Sequence, residues 1–160
     1  MPIRKMTESD LPQVLALQRE LAFQDWNEKQ FSAELRAGYA LCVVYTAEPK
    51  DCAAPDCAAP DCIAPEADKI LGYAVFHMMG ADSELLSIAA SPSVQRQGIG
   101  TALLNAGLAQ LDFAAGDKMF LEVREGNAKA RRFYEKHHFT AFSERKNYYA
   151  DGENAILYQR

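Results

Sequence analysis

Residues Ser91 to Leu104 read SPSVQRQGIGTALL. The stretch follows the apolar run SELLSIAA, carries two glycines within three positions (Gly98 and Gly100), and passes directly into a helical pattern. A strand that runs through a glycine-rich turn into a helix presents backbone N–H groups without intrahelical partners at the positive end of the helix dipole. That is an anion site needing no basic side chain. Glycine lets the backbone approach the anion closely. Two common nucleotide versions do not fit. A Walker loop requires Gly-Lys-Ser/Thr, and a dinucleotide fingerprint requires a third glycine where this chain has Leu103. The competing reading is structural, with the glycines permitting only a tight turn and close helix packing.

Outward from this loop the chain alternates elements. PIRKM near the start reads as a short strand. TESDLPQVLALQREL reads as a helix capped by Thr7 or Ser9, with Leu11, Val14, Leu15 and Leu17 to Leu21 on or near one face. A second helix begins near Asn27. YALCVVYTA, KILGYAVFHM and SELLSIAA are β-branched and aromatic runs and read as three consecutive strands, the last two joined by MGADS. From Gly98 the period changes to helical: Gln97, Thr101, Asn105 and Asp112 form a polar stripe, and Ile99, Leu103, Leu104, Leu108 and Leu111 fill the rest. KMFLEVR is a fifth strand, NAKARRFYEKH a further helix, and TAFSERKNYY and ENAILYQ two closing strands. The expected class is α/β, more strictly α+β, around one mixed sheet.

With 160 residues, 49% of them hydrophobic, the chain is expected to form a single domain spanning residues 1–160. A net charge of -5 argues against nucleic acid as the main partner and suits a cationic one. No apolar run has transmembrane length, and MPIRKMTESD lacks the apolar core of a signal peptide, so a cytoplasmic protein without a membrane partner is expected. Three of the four cysteines, Cys52, Cys57 and Cys62, belong to DCAAPDCAAPDCIAP, tandem copies of a five-residue unit. Their spacing comes from the repeat and matches no zinc pattern, so no metal is expected. Alanine, proline and aspartate in this arrangement have no amphipathic period, and residues 48–68 read as a disordered low-complexity insertion between two strands. Cys42, within YALCVVY, reads as a buried apolar side chain.

QRQGIG, Gln95 to Gly100, resembles the Q/R-x-x-G-x-G/A signature of the GNAT acetyltransferase superfamily, whose loop holds the pyrophosphate of acetyl-coenzyme A. LEVREGNAKARRFYEKHHF, Leu121 to Phe139, is similar to a more specific segment of the RimI branch, bacterial enzymes that acetylate the N-terminal alanine of a small-subunit ribosomal protein. DWNEKQF near the start and RKNYY, Arg145 to Tyr149, resemble that branch too, so the likeness covers nearly the whole chain apart from the insertion. It implies a mostly antiparallel sheet of about seven strands, flanked by helices and splayed between the fourth and fifth strands. It also implies acetyl-coenzyme A as cosubstrate and a ribosomal protein or other protein N-terminus as partner; a monomer or weak dimer is expected.

The resemblance assigns roles by position. Ile88, Ala89 and Ala90 would hold the cofactor through backbone bonds. Arg96, Gln97, Gly98, Ile99, Gly100 and Thr101 would offer N–H groups to its pyrophosphate, with the Arg96 side chain as charge partner. Asn127 would hydrogen-bond the cofactor, a role compatible with its capping of the next helix. Transfer to an amine needs a base, and an α-amine of pKa about 7.7 to 8.0 is within reach of a carboxylate working through water. Alternation in KMFLEVR sets Glu122 on the face opposite Met119, Leu121 and Val123. The strand alone favours an exposed carboxylate paired with Arg124; the resemblance reverses that and selects Glu122 as general base. Tyr134, two helical turns after Asn127 and on the same side, would be the general acid that protonates the departing thiolate, against the alternative of a core tyrosine beside Phe133. Tyr148 and Tyr149, read as part of a strand, would contact the first residues of the acceptor; otherwise both pack in the sheet. His138 stands where the family has a glycine that closes the helix in a left-handed conformation, which histidine tolerates at some cost. Two other functions compete: acetylation of lysine side chains, a polyamine or another small amine, and a non-catalytic coenzyme A-binding module.

Overall fold

The computed structural model describes residues 2–21, 26–47 and 69–160. Along them run β1 (Ile3–Lys5), α1 (Leu11–Glu20), α2 (Glu28–Arg36), β2 (Ala40–Thr46), β3 (Ile70–His77) and β4 (Asp82–Ala90). There follow α3 (Ile99–Leu108), β5 (Lys118–Arg124), α4 (Ala128–Lys136), β6 (Thr140–Arg145) and β7 (Ala155–Gln159). The strands form one sheet in the order β1-β2-β3-β4-β5-β7-β6. Every pairing is antiparallel except β4 with β5. This is the mixed, mostly antiparallel sheet the sequence leads one to expect.

The parallel pair is short. It runs from Asp82 opposite Lys118 to Leu85 opposite Leu121, after which β4 continues to Ala90 and β5 to Arg124 without pairing to each other. A bulge bends β4 at this point, since Val75 of β3 lies opposite Ser87 while Phe76 lies opposite Leu85. The sheet therefore splays between its fourth and fifth strands.

Alternation along the strands builds two cores on opposite faces. Cys42, Val44, Tyr73 and Val75 pack with Val14 and Leu17 of α1 and Phe31 of α2. Val43, Ala74 and Phe76 pack with Leu103, Leu104 and Leu108 of α3, and the same cluster takes Met119, Leu121 and Val123 from β5 and Tyr134 from α4. Helix α3 lies so tightly on β3 that a Cβ at Gly107 would fall 2.4 Å from the Phe76 ring. Phe120, Glu122 and Arg124 are consequently left on the α1–α2 face.

Local chemistry sets the helix ends. Thr7 opens a 3-10 turn, Glu8–Asp10, ahead of α1. The Asp10 carboxylate accepts from the Thr7 N–H at 2.8 Å and from Arg4 at 2.7 and 2.8 Å. Asn27 and Gln30 form a reciprocal capping box on α2. Helix α3 is shorter than its sequence stripe, ending at Leu108. Asp112 turns its side chain onto the N–H groups of Ala114 and Ala115 at 3.0 and 3.2 Å, a local bond that competes with helix. At the end of α4, His138 takes φ +64, the left-handed conformation expected of the position.

The expected insertion, residues 48–68 with Cys52, Cys57 and Cys62, lies outside the described residues; its flanks meet through the Ala47 N–H and the Lys69 carbonyl at 2.9 Å. Cys42 is buried, and burial, with the charge of Glu34 second, pushes its thiol up to about 11. Among the described residues, no helix is long and apolar enough to cross a membrane, and no group of His, Cys, Asp and Glu is placed to hold a metal ion.

Candidate active site

A cavity of about 670 Å³ opens where β4 and β5 part. Ile88, Ala89 and Ala90 of β4 form one wall, and the loop leading into α3 forms the next. Helix α4 forms the third through Asn127, Ala130, Phe133, Tyr134 and His137. The loop is bent by two left-handed residues, Arg96 at φ +66 and Gly98 at φ +83. The N–H groups of Ile99, Gly100 and Thr101 precede the first intrahelical bond of α3, from the Ala102 N–H to the Gly98 carbonyl at 2.9 Å. A Cβ at Gly100 would meet nothing closer than the Phe133 ring, at 3.5 Å, an ordinary contact. The protein's own packing therefore does not demand glycine there; a backbone approached by a ligand does. Among the described residues, the charged side chains lining the cavity are Arg96, Lys129 and Lys136, with no carboxylate beside them although the chain is acidic. Free N–H groups, a helix N-terminus and basic walls together suit a polyphosphate.

A second cavity, of about 380 Å³, lies on the α1–α2 face, lined by Asp82, Glu84, Phe120, Glu122, Phe142 and Arg145 among others. Its charge is reversed. Three carboxylates stand against one guanidinium. Glu122, largely buried, is ion-paired to Arg145. Glu84 is pushed above the usual carboxylate range by burial first and then by the charge of Glu122. The Tyr148 phenol is raised chiefly by its hydrogen bond to Glu122.

Tyr134 of α4 is buried. It lines the first cavity, and its phenol is driven up by burial and then by Tyr149. Tyr149 in turn feels Arg124 and Glu122, after a larger effect of burial. Its ring lies 3.9 Å beneath the Arg124 guanidinium, which is also held at 2.7 Å by both Asp151 and Glu153.

All the residues expected to touch the cofactor line the first cavity except Gln97, whose side chain is exposed outside it. Asn127 caps α4, its Oδ1 accepting the Ala130 N–H at 3.1 Å, and lines the cavity as well. One alternative reading and one expectation need correction. Arg124 is not the partner of Glu122, because Asp151 and Glu153 engage it and Arg145 takes its place. Tyr148 and Tyr149 are not on a strand: β6 ends at Arg145, Asn147 takes φ +51, and the Tyr149 N–H bonds the Glu153 carbonyl at 3.1 Å in a turn. The turn chemistry of Asn147 and Asp151-Gly152 outweighs the β-propensity of the tyrosines. Sequence reasoning missed His137, whose Nε2 lies 3.1 Å from Thr101 Oγ1 and whose ring packs on Phe133. Continuing the helical spacing from Asn127 through Ala130 and Tyr134 would have reached it. It also missed Glu84 and Arg145, which come from separate strands and carry no local signal.

The splayed sheet, the loop and the first cavity define an acyl-coenzyme A-type transferase, and the chain belongs to the acetyltransferase (GNAT) family, whose profile matches residues 12–139. It is an acetyl-coenzyme A-dependent N-acetyltransferase. Among its relatives is the ribosomal protein bS18-alanine N-acetyltransferase of Escherichia coli K12, 27% identical over 97% of this chain and 93% of that protein. The enzyme of the same name from Haemophilus ducreyi is 34% identical over 58% of this chain and 66% of its own. The crystal structure of the ribosomal-protein-S18-alanine N-acetyltransferase from Escherichia coli superposes with a TM-score of 0.76 at 28% identity, covering 98% of this chain and 90% of that one.

Proposed function

We propose that the protein transfers the acetyl group of acetyl-coenzyme A to the N-terminal α-amine of a protein, the alanine that begins a small-subunit ribosomal protein, within a ternary complex. The observation that carries this reading is a pair of oppositely charged cavities built on successive parts of β4, one with Tyr134 in its wall and the other with Glu122. The relatives named for ribosomal protein bS18 support the acceptor.

Acetyl-coenzyme A, when bound, supplies the activated thioester. The N–H groups from Arg96 to Thr101 hold its pyrophosphate, and the unpaired edge of Ile88 to Ala90 aligns its arm. Glu122, directly or through a water, accepts a proton from the acceptor ammonium, leaving the free amine to attack the thioester carbonyl. A second amine proton leaves to solvent. The C–S bond breaks, and Tyr134, kept protonated by burial, donates its phenolic proton to the thiolate and is reprotonated from solvent. The amide and coenzyme A thiol are the products. Tyr148 and Tyr149 flank the approach, where an extended peptide with a small first residue fits, and the acidic second cavity favours basic peptides.

The test compares a peptide beginning with free alanine with the same peptide blocked at its N-terminus and carrying one internal lysine. Transfer to the free peptide at least 10²-fold faster is expected. Equal rates would assign the enzyme to lysine side chains or small amines instead.

A further inference from the structure

Arg145, which lines the second cavity, and Arg124, on β5, are held very differently. Arg124 is engaged by two carboxylates and an aromatic face. Arg145 stands at the end of β6, whose six residues are all exposed. Its side chain is 51% exposed, the Tyr148 ring lies 5.4 Å from its guanidinium, and its ion pair is to Glu122. That carboxylate is the one the acceptor needs. A guanidinium and an ammonium compete for the same oxygen lone pairs, so acceptor and Arg145 cannot both use them fully. The arginine end of the pair is half in solvent, so it is free to leave when a cation arrives at the carboxylate. Glu84 lines the same cavity, attracts Arg145, and lies where like charge from Glu122 disfavours it.

We propose that Arg145 is an internal stand-in for the acceptor: in the free enzyme its guanidinium holds the place on Glu122 that the acceptor ammonium takes, and it moves to Glu84 as the acceptor docks. This rests on Glu122 as the base. It makes Arg145 a specificity-determining residue, since only a cationic end group displaces it; an uncharged or acidic end does not.

The test is steady-state kinetics with the alanine-starting peptide at saturating acetyl-coenzyme A. Arg145→Met should lower the peptide KM by about three- to tenfold with kcat within twofold, while Arg145→Lys, which keeps a cation, stays within twofold of the parent in both. In a Glu122→Gln background, Arg145→Met should leave the peptide Kd within twofold. An unmoved or raised KM in a folded Arg145→Met variant, or a tenfold loss of kcat, overturns the stand-in and makes Arg145 a binding or orienting residue. Should Arg145→Met fail to fold, Glu84→Gln carries the test: removing the second carboxylate should raise KM at least threefold, and an unchanged KM overturns the proposal. Normal turnover in Glu122→Gln alone defeats the base itself. A Glu122→Gln enzyme that is slow, beside an unmoved KM in Arg145→Met, defeats only the stand-in.

Discussion

The two cavities on either side of the splay are made from different materials. The first is largely backbone: a bent loop, the start of α3 and the unpaired edge of β4, with basic side chains at its rim. The second is made of side chains from β4, β5, β6 and β7, with three carboxylates and two phenylalanines among them. A site built from backbone holds a constant ligand and depends on local sequence. A site built from side chains on separate strands is tuned residue by residue, and it is where we propose that the acceptor is chosen.

Breaking the comparison most sharply should be Tyr134→Phe. It removes one hydroxyl from the wall of the first cavity, so turnover is expected to fall on the order of 10²-fold with acetyl-coenzyme A affinity nearly unchanged; a parallel loss of affinity would make Tyr134 a binding residue. The same variant has a pH signature. The Tyr134 phenol is raised in the folded protein, whereas an unfolded tyrosine titrates near pH 10, so above about pH 10 the unfolded chain binds fewer protons and stability falls as pH rises. Below that pH the two states carry the same proton. Tyr134→Phe should remove part of this alkaline fall, seen in denaturant midpoints between neutral pH and pH 11, while Tyr73, Tyr148, Tyr149 and Cys42, also raised in the folded protein, preserve the remainder.

A smaller effect is expected at Gly100. Alanine there meets only an ordinary contact and is the better helix former, so the melting temperature should hold or rise, yet its methyl group enters the cradle. The acetyl-coenzyme A Kd should rise about tenfold. Unchanged affinity would mean that the loop does not meet the ligand closely. The smallest effect belongs to the insertion. Deleting Asp51 to Pro65 shortens a loop whose flanks are already joined at Ala47 and Lys69, and closure entropy changes by only about 0.6 kcal/mol per doubling of length. Melting temperature and activity should both stay close to the parent's, as thermal scanning and turnover would check.

The same difference in material explains what the sequence disclosed. The Gln95–Gly100 loop and the Asn127–Tyr134 spacing are contiguous, so their positions around the first cavity were legible before any fold was known. Strand alternation in KMFLEVR likewise placed Glu122 on the correct face. The partner of Glu122 was not legible, because Arg145 reaches it across the sheet through β7, and nearness in sequence pointed to Arg124 instead. The aromatic run ending in Tyr149 read as strand because propensity is local, whereas the left-handed Asn147 and the turn before β7 bend the chain away from the ladder. The splay itself follows from a bulge in β4 that no residue pattern announces.

The central claim is that the donor is held on one side of the splay and the acceptor is activated on the other, at Glu122. Glu122→Gln separates the two directly when turnover and acetyl-coenzyme A affinity are measured on the same preparation. A turnover at least 10²-fold below the parent's, with an acetyl-coenzyme A Kd within twofold by titration calorimetry, is the expected result. Turnover within threefold of the parent, or a Kd that weakens in step with turnover, would contradict it.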